Sequence, residues 1–231
     1  MTTIVSLSHV SKLYNHGSGI MALKDISMTV AAGEVILVLG PSGSGKTTLL
    51  QLIAGLLEPT HGRVELFGRS PADLSAREQQ ELRAYHVGFV FQNFRLLNAL
   101  TAAENVAIAS EFAGTARKAA RERSLHLLRE LGLSGLSARW PDSMSQGEQQ
   151  RVAIARALVN DAQLILADEP TASLESSQGL AVIELLHACA RRRNVGVVVA
   201  SHDTRLIACA DRVLYVRDGT LYARARCTRS A

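Results

Sequence analysis

The chain has 231 residues, 47% of them hydrophobic and 20% charged, with 25 Lys and Arg against 21 Asp and Glu for a formal net charge of +4. That length suits one large α/β domain, or a domain carrying one inserted subdomain, and is too short for two such domains in tandem. The small basic excess is spread along the chain with no dense patch, so nucleic acid is not expected as a partner.

From residue 4 to about 66, short β-branched runs such as 26–30 and 64–66 alternate with glycine-bearing turns. The apolar run 35–39 reads as a buried strand, and 48–54 as a helix following a glycine-rich loop. From about 98 to 160 the pattern turns helical, which predicts an inserted helical subdomain. Thr101 with Glu104, and Ser145 with Glu148, match the capping box and mark two helix starts. Between them Leu125, Leu128 and Leu131 recur at helical spacing. Beyond 160 the chain returns to strand (164–167), helix (178–190), strand (195–200) and strand (213–216), with a turn at Asp218-Gly219. No internal repeat and no low-complexity segment interrupts this order. No run approaches about eighteen consecutive apolar residues, and the N-terminus lacks a secretory layout, so a soluble intracellular protein is expected. Cys189, Cys209 and Cys227 are odd in number and far apart, which reads as reduced thiols. Arg224, Arg226 and Arg229 read as a solvated tail or as a segment near an acidic membrane surface.

The loop Gly40-Pro41-Ser42-Gly43-Ser44-Gly45-Lys46-Thr47, followed by Thr48, fits the phosphate-binding pattern GxxxxGK[ST]. Its glycines let backbone N–H groups turn inward around phosphate oxygens, Lys46 adds positive charge, and Thr47 offers a hydroxyl to magnesium. A strand before the loop and a helix after it give the context this chemistry needs. The run 164–167 closes on Asp168-Glu169. A strand apolar on both faces lies inside a parallel sheet, and its carboxyl end points into the crevice where ligands bind. Asp168 is therefore expected in the magnesium shell, and Glu169 is placed to orient or deprotonate the water that attacks the terminal phosphate.

With Ser145-Gln146-Gly147-Glu148 and the following 149–158 lying between these two motifs, the chain resembles the nucleotide-binding subunit of an ATP-binding cassette (ABC) transporter. The resemblance runs from about 4 to about 221. It implies an α/β fold: a P-loop NTPase core, an antiparallel β subdomain and an inserted α-helical subdomain, all within one ABC ATPase domain. It further implies a head-to-tail dimer in which ATP is sandwiched between the phosphate loop of one copy and the Ser145 signature of the other. By the same matching, Tyr14 resembles the aromatic residue that stacks on adenine. Gln92 resembles the hinge glutamine that touches magnesium and water and senses the membrane partner. His202 resembles the switch histidine at the γ-phosphate, and 172–175 resembles the loop that communicates across the dimer.

The signature departs from the family's usual Leu-Ser-Gly-Gly-Gln at three places, with Met144 for Leu, Gln146 for Gly and Glu148 for Gln. Gln146 is expected to crowd the nucleotide or slow closure. Glu148 is expected to add like charge near the triphosphate while strengthening the helix cap. Within the family, 84–98 followed by 100–106 is similar to the lipoprotein-release and macrolide-export ATPases. The resemblance thus implies ATP and Mg2+ as ligands, a second copy and an integral membrane permease as partners, and a peripheral place at the cytoplasmic face of the membrane. An ABC-type ATPase regulating a membrane-bound cell-wall or division complex is the alternative that the same motifs allow.

Overall fold

The computed structural model describes residues 2–14 and 19–223; Arg224, Arg226, Cys227 and Arg229 lie outside the described residues. Two sheets organise the chain. Strands β1 (Thr3–Tyr14), β2 (Ile20–Ala31) and β4 (His61–Leu66) form an antiparallel sheet in the order β2-β1-β4. On β2, Ile26, Met28 and Val30 are buried while the residues between them are exposed, the alternation expected of a sheet with one wet face.

The second sheet runs β5-β6-β7-β3-β8-β9, built from β3 (Val35–Leu39), β5 (Val87–Phe91), β6 (Leu164–Asp168), β7 (Gly196–Ser201), β8 (Arg212–Arg217) and β9 (Thr220–Ala223). All neighbours pair in parallel except β8 and β9, which form a hairpin. Because β3, β6 and β7 are covered on both faces, each reads as an unbroken apolar run.

Alternate side chains of these strands feed two cores. Val35, Leu37, Ile165, Ala167, Val197 and Val199 pack in one core with α3 (Ala102–Phe112), α4 (Arg117–Glu130), α5 (Gln146–Leu158) and α6 (Ser176–Arg193). Ile36, Val38, Leu164, Leu166, Val198 and Ala200 pack in the other with α1 (Lys46–Ile53) and the antiparallel sheet.

The expected capping boxes are present at Thr101 and Ser145, each hydroxyl accepting the N–H three residues on while the glutamate accepts the cap's own N–H. A third, Ser75 with Glu78, starts α2 (Ala76–His86), a helix the periodicity did not announce because only Leu82 of its eleven residues is buried. Polar side chains tie the helices of 102–158 to the large sheet's flank. Asn160 Nδ2 donates to the carbonyls of Ala84 (2.9 Å) and Ala109 (3.0 Å), and its Oδ1 accepts from Ser110 at 2.6 Å. Buried Asn105 donates from Nδ2 to the carbonyls of Leu97, Leu100 and Thr101 and accepts the Leu97 N–H, which fixes the turn leading into α3.

Candidate active site

Strand register alone collects the motif residues. Phe91 pairs with Asp168, Asp168 with Ala200, and Leu39 with Ser201, so Gln92, Glu169, His202 and Gly40 leave adjacent parallel strands at one edge. A cavity of about 610 Å3 opens there, lined by Ser42, Gly43, Gly45, Lys46, Thr47 and Thr48 of the loop, by Gln92, Asp168 and Glu169, and by Tyr14. Gly40, Pro41 and Ser44 of the expected nucleotide set do not line it.

Lys46 is buried, and its Nζ donates to the carbonyls of Gly40 (2.8 Å) and Pro41 (3.0 Å) and lies 3.4 Å from Glu169 Oε1. Thr47 Oγ1 donates to Asp168 Oδ2 at 2.9 Å. Burial pushes the Asp168 carboxyl above its ordinary value, and the neighbouring Glu169 charge pushes the same way against the Thr47 hydrogen bond. Glu169 takes a left-handed backbone (φ 49°), held by its N–H to the Ala200 carbonyl at 2.9 Å. Its Oε2 meets His202 Nδ1 at 2.9 Å, so one carboxylate bridges the loop lysine and the histidine at the end of β7.

The cavity fits a phosphate chain at its floor. Gly43 has φ 77° and open space where a side chain would project, leaving that turn clear for a ligand. Ser44 Oγ is buried without a partner in the same turn. The Thr47 hydroxyl, the Asp168 carboxylate and the Gln92 amide are hard oxygen donors of the kind magnesium takes alongside phosphates and water. Among the described residues no three His, Cys, Asp or Glu side chains gather as a metal cluster.

Six lining residues escaped the sequence reading of the site: Ile20, Met21, Ala22, Lys24, Asp218 and Gly219. Ile20 and Met21 are exposed apolar residues that lie opposite Tyr14 and Leu13 across the β1–β2 ladder. Two exposed aliphatics next to a strand aromatic were the available signal. Lys12 Nζ lies 5.5 Å over the Tyr14 ring and donates to the Glu58 carbonyl at 2.7 Å, steadying the ring from the side.

Ser145, Gln146, Gly147 and Glu148 do not line this cavity. Ser145 and Gln146 are exposed at the start of α5. Gly147 is buried, and a Cβ there would stand 3.0 Å from Oε1 of the Gln178 side chain on α6. Glu148 accepts the Ser145 N–H at 2.8 Å and pairs with Arg139 at 3.2 Å; the Ser145 N–H first, and Arg139 after it, hold its carboxyl below the ordinary range. Its charge is therefore answered within its own chain. At the other end of α5, Arg156 donates to the carbonyls of Phe94 (2.7 Å) and Arg95, two successive left-handed residues just after Gln92. Ser173, in the 172–175 loop, donates to the Gln92 carbonyl at 3.3 Å.

Residues 23–172 match the family described as ABC transporter. Over 222 residues the chain is 42% identical to the macrolide export ATP-binding/permease protein MacB of Salmonella choleraesuis and 40% identical to that of Escherichia coli K12. In both cases 96% of this chain is covered, while the chain spans about a third (34%) of the length of those relatives. The dimeric ATP-binding cassette MJ0796, solved in a post-hydrolysis state with ADP and Pi, superposes with a TM-score of 0.86 at 37% identity, covering 96% of this chain and 98% of that one. The cbiO1 protein of Clostridium perfringens, part of the ABC transporter complex cbiONQ, gives a TM-score of 0.86 at 28% identity, with 96% and 88% covered. A phosphate loop, an acidic pair and a histidine joined at one sheet edge, within a chain of this likeness, place it in the ABC transporter family as an ATP-binding, ATP-hydrolysing cassette.

Proposed function

We propose that the chain powers a separate membrane permease, for export or lipoprotein release, by closing on ATP as a head-to-tail pair and reopening after hydrolysis. The observation that supports this best is the Lys46–Glu169–His202 chain of contacts, in which Lys46 and Glu169 line one cavity with Thr47 and Asp168 and His202 reaches Glu169 from outside that lining. In this reading adenine lies against Tyr14, and the N–H groups of 42–48 with Lys46 hold the phosphates. Magnesium, with Thr47, Asp168 and Gln92 as its protein ligands, would neutralise phosphate charge. Glu169 is the base: His202 fixes one oxygen of its carboxylate, leaving the other to orient and deprotonate the attacking water. Lys46, at 3.4 Å, pairs with that carboxylate until phosphate competes for the ammonium.

Ser145, Gln146, Gly147 and Glu148 act on the nucleotide of a second copy, because the start of α5 lies away from its own cavity and is exposed at Ser145 and Gln146. The helix N-terminus and the Ser145 hydroxyl suit an arriving γ-phosphate. We read 98–160 as a helical subdomain of a single ABC ATPase domain, carrying the signature. The membrane partner is read onto the groove of about 370 Å3 lined by Phe91 and Arg95, where Phe112 is an exposed aromatic. Among the described residues no helix is long and apolar enough to cross a membrane; by its likeness to cassettes the chain is read as a peripheral subunit at the cytoplasmic face.

The test has two parts. Purified protein should release phosphate from ATP only with magnesium, and its absence would overturn the assignment of the site. Tagged protein locked with ATP and magnesium should then recover an integral membrane permease from gently solubilised membranes. Recovery of soluble partners alone would overturn the transport role.

A further inference from the structure

We infer that the β8–β9 turn, Asp218-Gly219, is the back wall of the phosphate loop, and that Gly219 is a positioning residue setting the loop's affinity for nucleotide. The inference rests on the reading of this cavity as the ATP site. Asp218 (φ 50°) and Gly219 (φ 76°) are both left-handed, and Arg217 pairs with Thr220, which makes a two-residue type I′ hairpin turn. Unlike an ordinary solvent-facing hairpin tip, this one is pinned from both sides. The Gly219 N–H donates to the carbonyl of Ser44, in the middle of the phosphate loop, at 3.2 Å, and its carbonyl accepts the Lys24 N–H of β2 at 2.7 Å.

The fit leaves no room for a side chain. A Cβ on Gly219 would meet the Ala22 carbonyl oxygen at 2.8 Å, and one on Gly40, the first glycine of the loop, would meet the Val216 carbonyl oxygen of β8 at 2.3 Å. Backbone therefore faces backbone on both contacts, and neither can relax by a rotamer change. The loop must point its N–H groups at phosphate while its carbonyls face away. Ser44 is where such a carbonyl finds its partner, and that partner is Gly219. The turn itself also lines the cavity. Moving it releases the Ser44 peptide, which disorders the phosphate-facing amides without touching Lys46, Glu169 or His202.

The test is Gly219→Ala, with Gly219→Asn beside it, because Asn accepts the left-handed backbone and isolates the effect of the added Cβ. Gly68→Ala is the control: Gly68 has a similar φ of 73°, faces open space and lies outside the site. Equilibrium binding of ATP and of ADP, steady-state hydrolysis and thermal melting are measured on all four proteins. Both Gly219 variants should raise the dissociation constants and KM about three- to tenfold, the loss of one hydrogen bond, with kcat nearly unchanged. Gly68→Ala should leave both at the parent values. Folded Gly219 variants that bind nucleotide as the parent does would overturn the inference, as would a loss of kcat at unchanged KM. Failure of the parent itself to bind ATP would instead overturn the reading of the site.

Discussion

Glu169→Gln is the sharpest probe of the site, because the geometry separates what the substitution keeps from what it removes. The amide has the carboxylate's shape, so one oxygen remains to accept from Lys46 or from His202, and the left-handed backbone at 169 is unaffected. What disappears is the charge and the basic oxygen. A positioned general base contributes about 10²–10⁴-fold, and the lower bound corresponds to roughly 2.7 kcal/mol of barrier, so kcat should fall by at least about a hundredfold. Nucleotide binding should move the other way. Lys46 exchanges an ion pair for a weaker ion–dipole contact, which frees the ammonium for phosphate and removes a negative charge from the triphosphate's path. The dissociation constant for ATP should hold or tighten. Phosphate release, equilibrium binding and size-exclusion chromatography with ATP and magnesium read the three quantities, and the last should show a stable dimer. Hydrolysis within about threefold of the parent would refute Glu169 as the base.

Four other substitutions test neighbouring steps. Gln146→Gly restores the usual signature residue at an exposed helix start; turnover should rise and stability fall by up to about 1 kcal/mol, and unchanged turnover would show the departure to be harmless. Glu148→Gln removes a carboxylate whose folded pKa lies below its unfolded value. That group's stabilisation is complete above the unfolded pKa and fades as pH falls through the folded one, so the variant should lose about 0.5–1 kcal/mol at neutral pH and show a flatter acid limb in melts. Asp168 has the opposite sign: its folded pKa is raised, so its ionisation opposes folding at neutral pH, and Asp168→Asn should melt higher than the parent while losing magnesium-dependent ATP binding. Arg156→Met keeps the aliphatic stem but strips donors from the Phe94 and Arg95 carbonyls; denaturant titration should show a loss of about 1.5–3 kcal/mol.

Legibility followed burial. Strands covered on both faces are bounded apolar runs, so β3 was read at its observed limits and β6 and β7 within a residue. Helix ends were less visible, since backbone conformation decides them. α1 begins at Lys46 because Gly45 turns left-handed there, and α6 runs on through Arg193 because left-handed Asn194 ends it. In the site, Lys46, Thr47, Asp168 and Glu169 were legible as motifs, whereas the wall formed by Ile20 and Met21 is not. It depends on how β1 and β2 pair through several register shifts, which no local pattern encodes. Asp218-Gly219 was legible as a turn, but its bond to Ser44 spans 175 positions and follows only from β8 lying beside β3.

The three departures in the signature are unequal once α5 is seen in place. Met144 is buried in the core, where an unbranched side chain fills the position of Leu at little cost. Glu148 is taken up by the Ser145 N–H and by Arg139, so the like charge expected near a triphosphate is largely spent within its own chain. Only Gln146 is left exposed at the helix start. Downstream on the same helix, Gln150 donates to the Pro170 carbonyl just after Glu169, and Arg156 grips the loop after Gln92, so α5 is braced against both segments. A helix fixed in this way transmits what its N-terminus meets rather than absorbing it. If the signature of this chain behaves differently toward a second copy, the difference must therefore originate at Gln146, and it should appear in dimer closure and turnover rather than in the binding of ATP by a single copy.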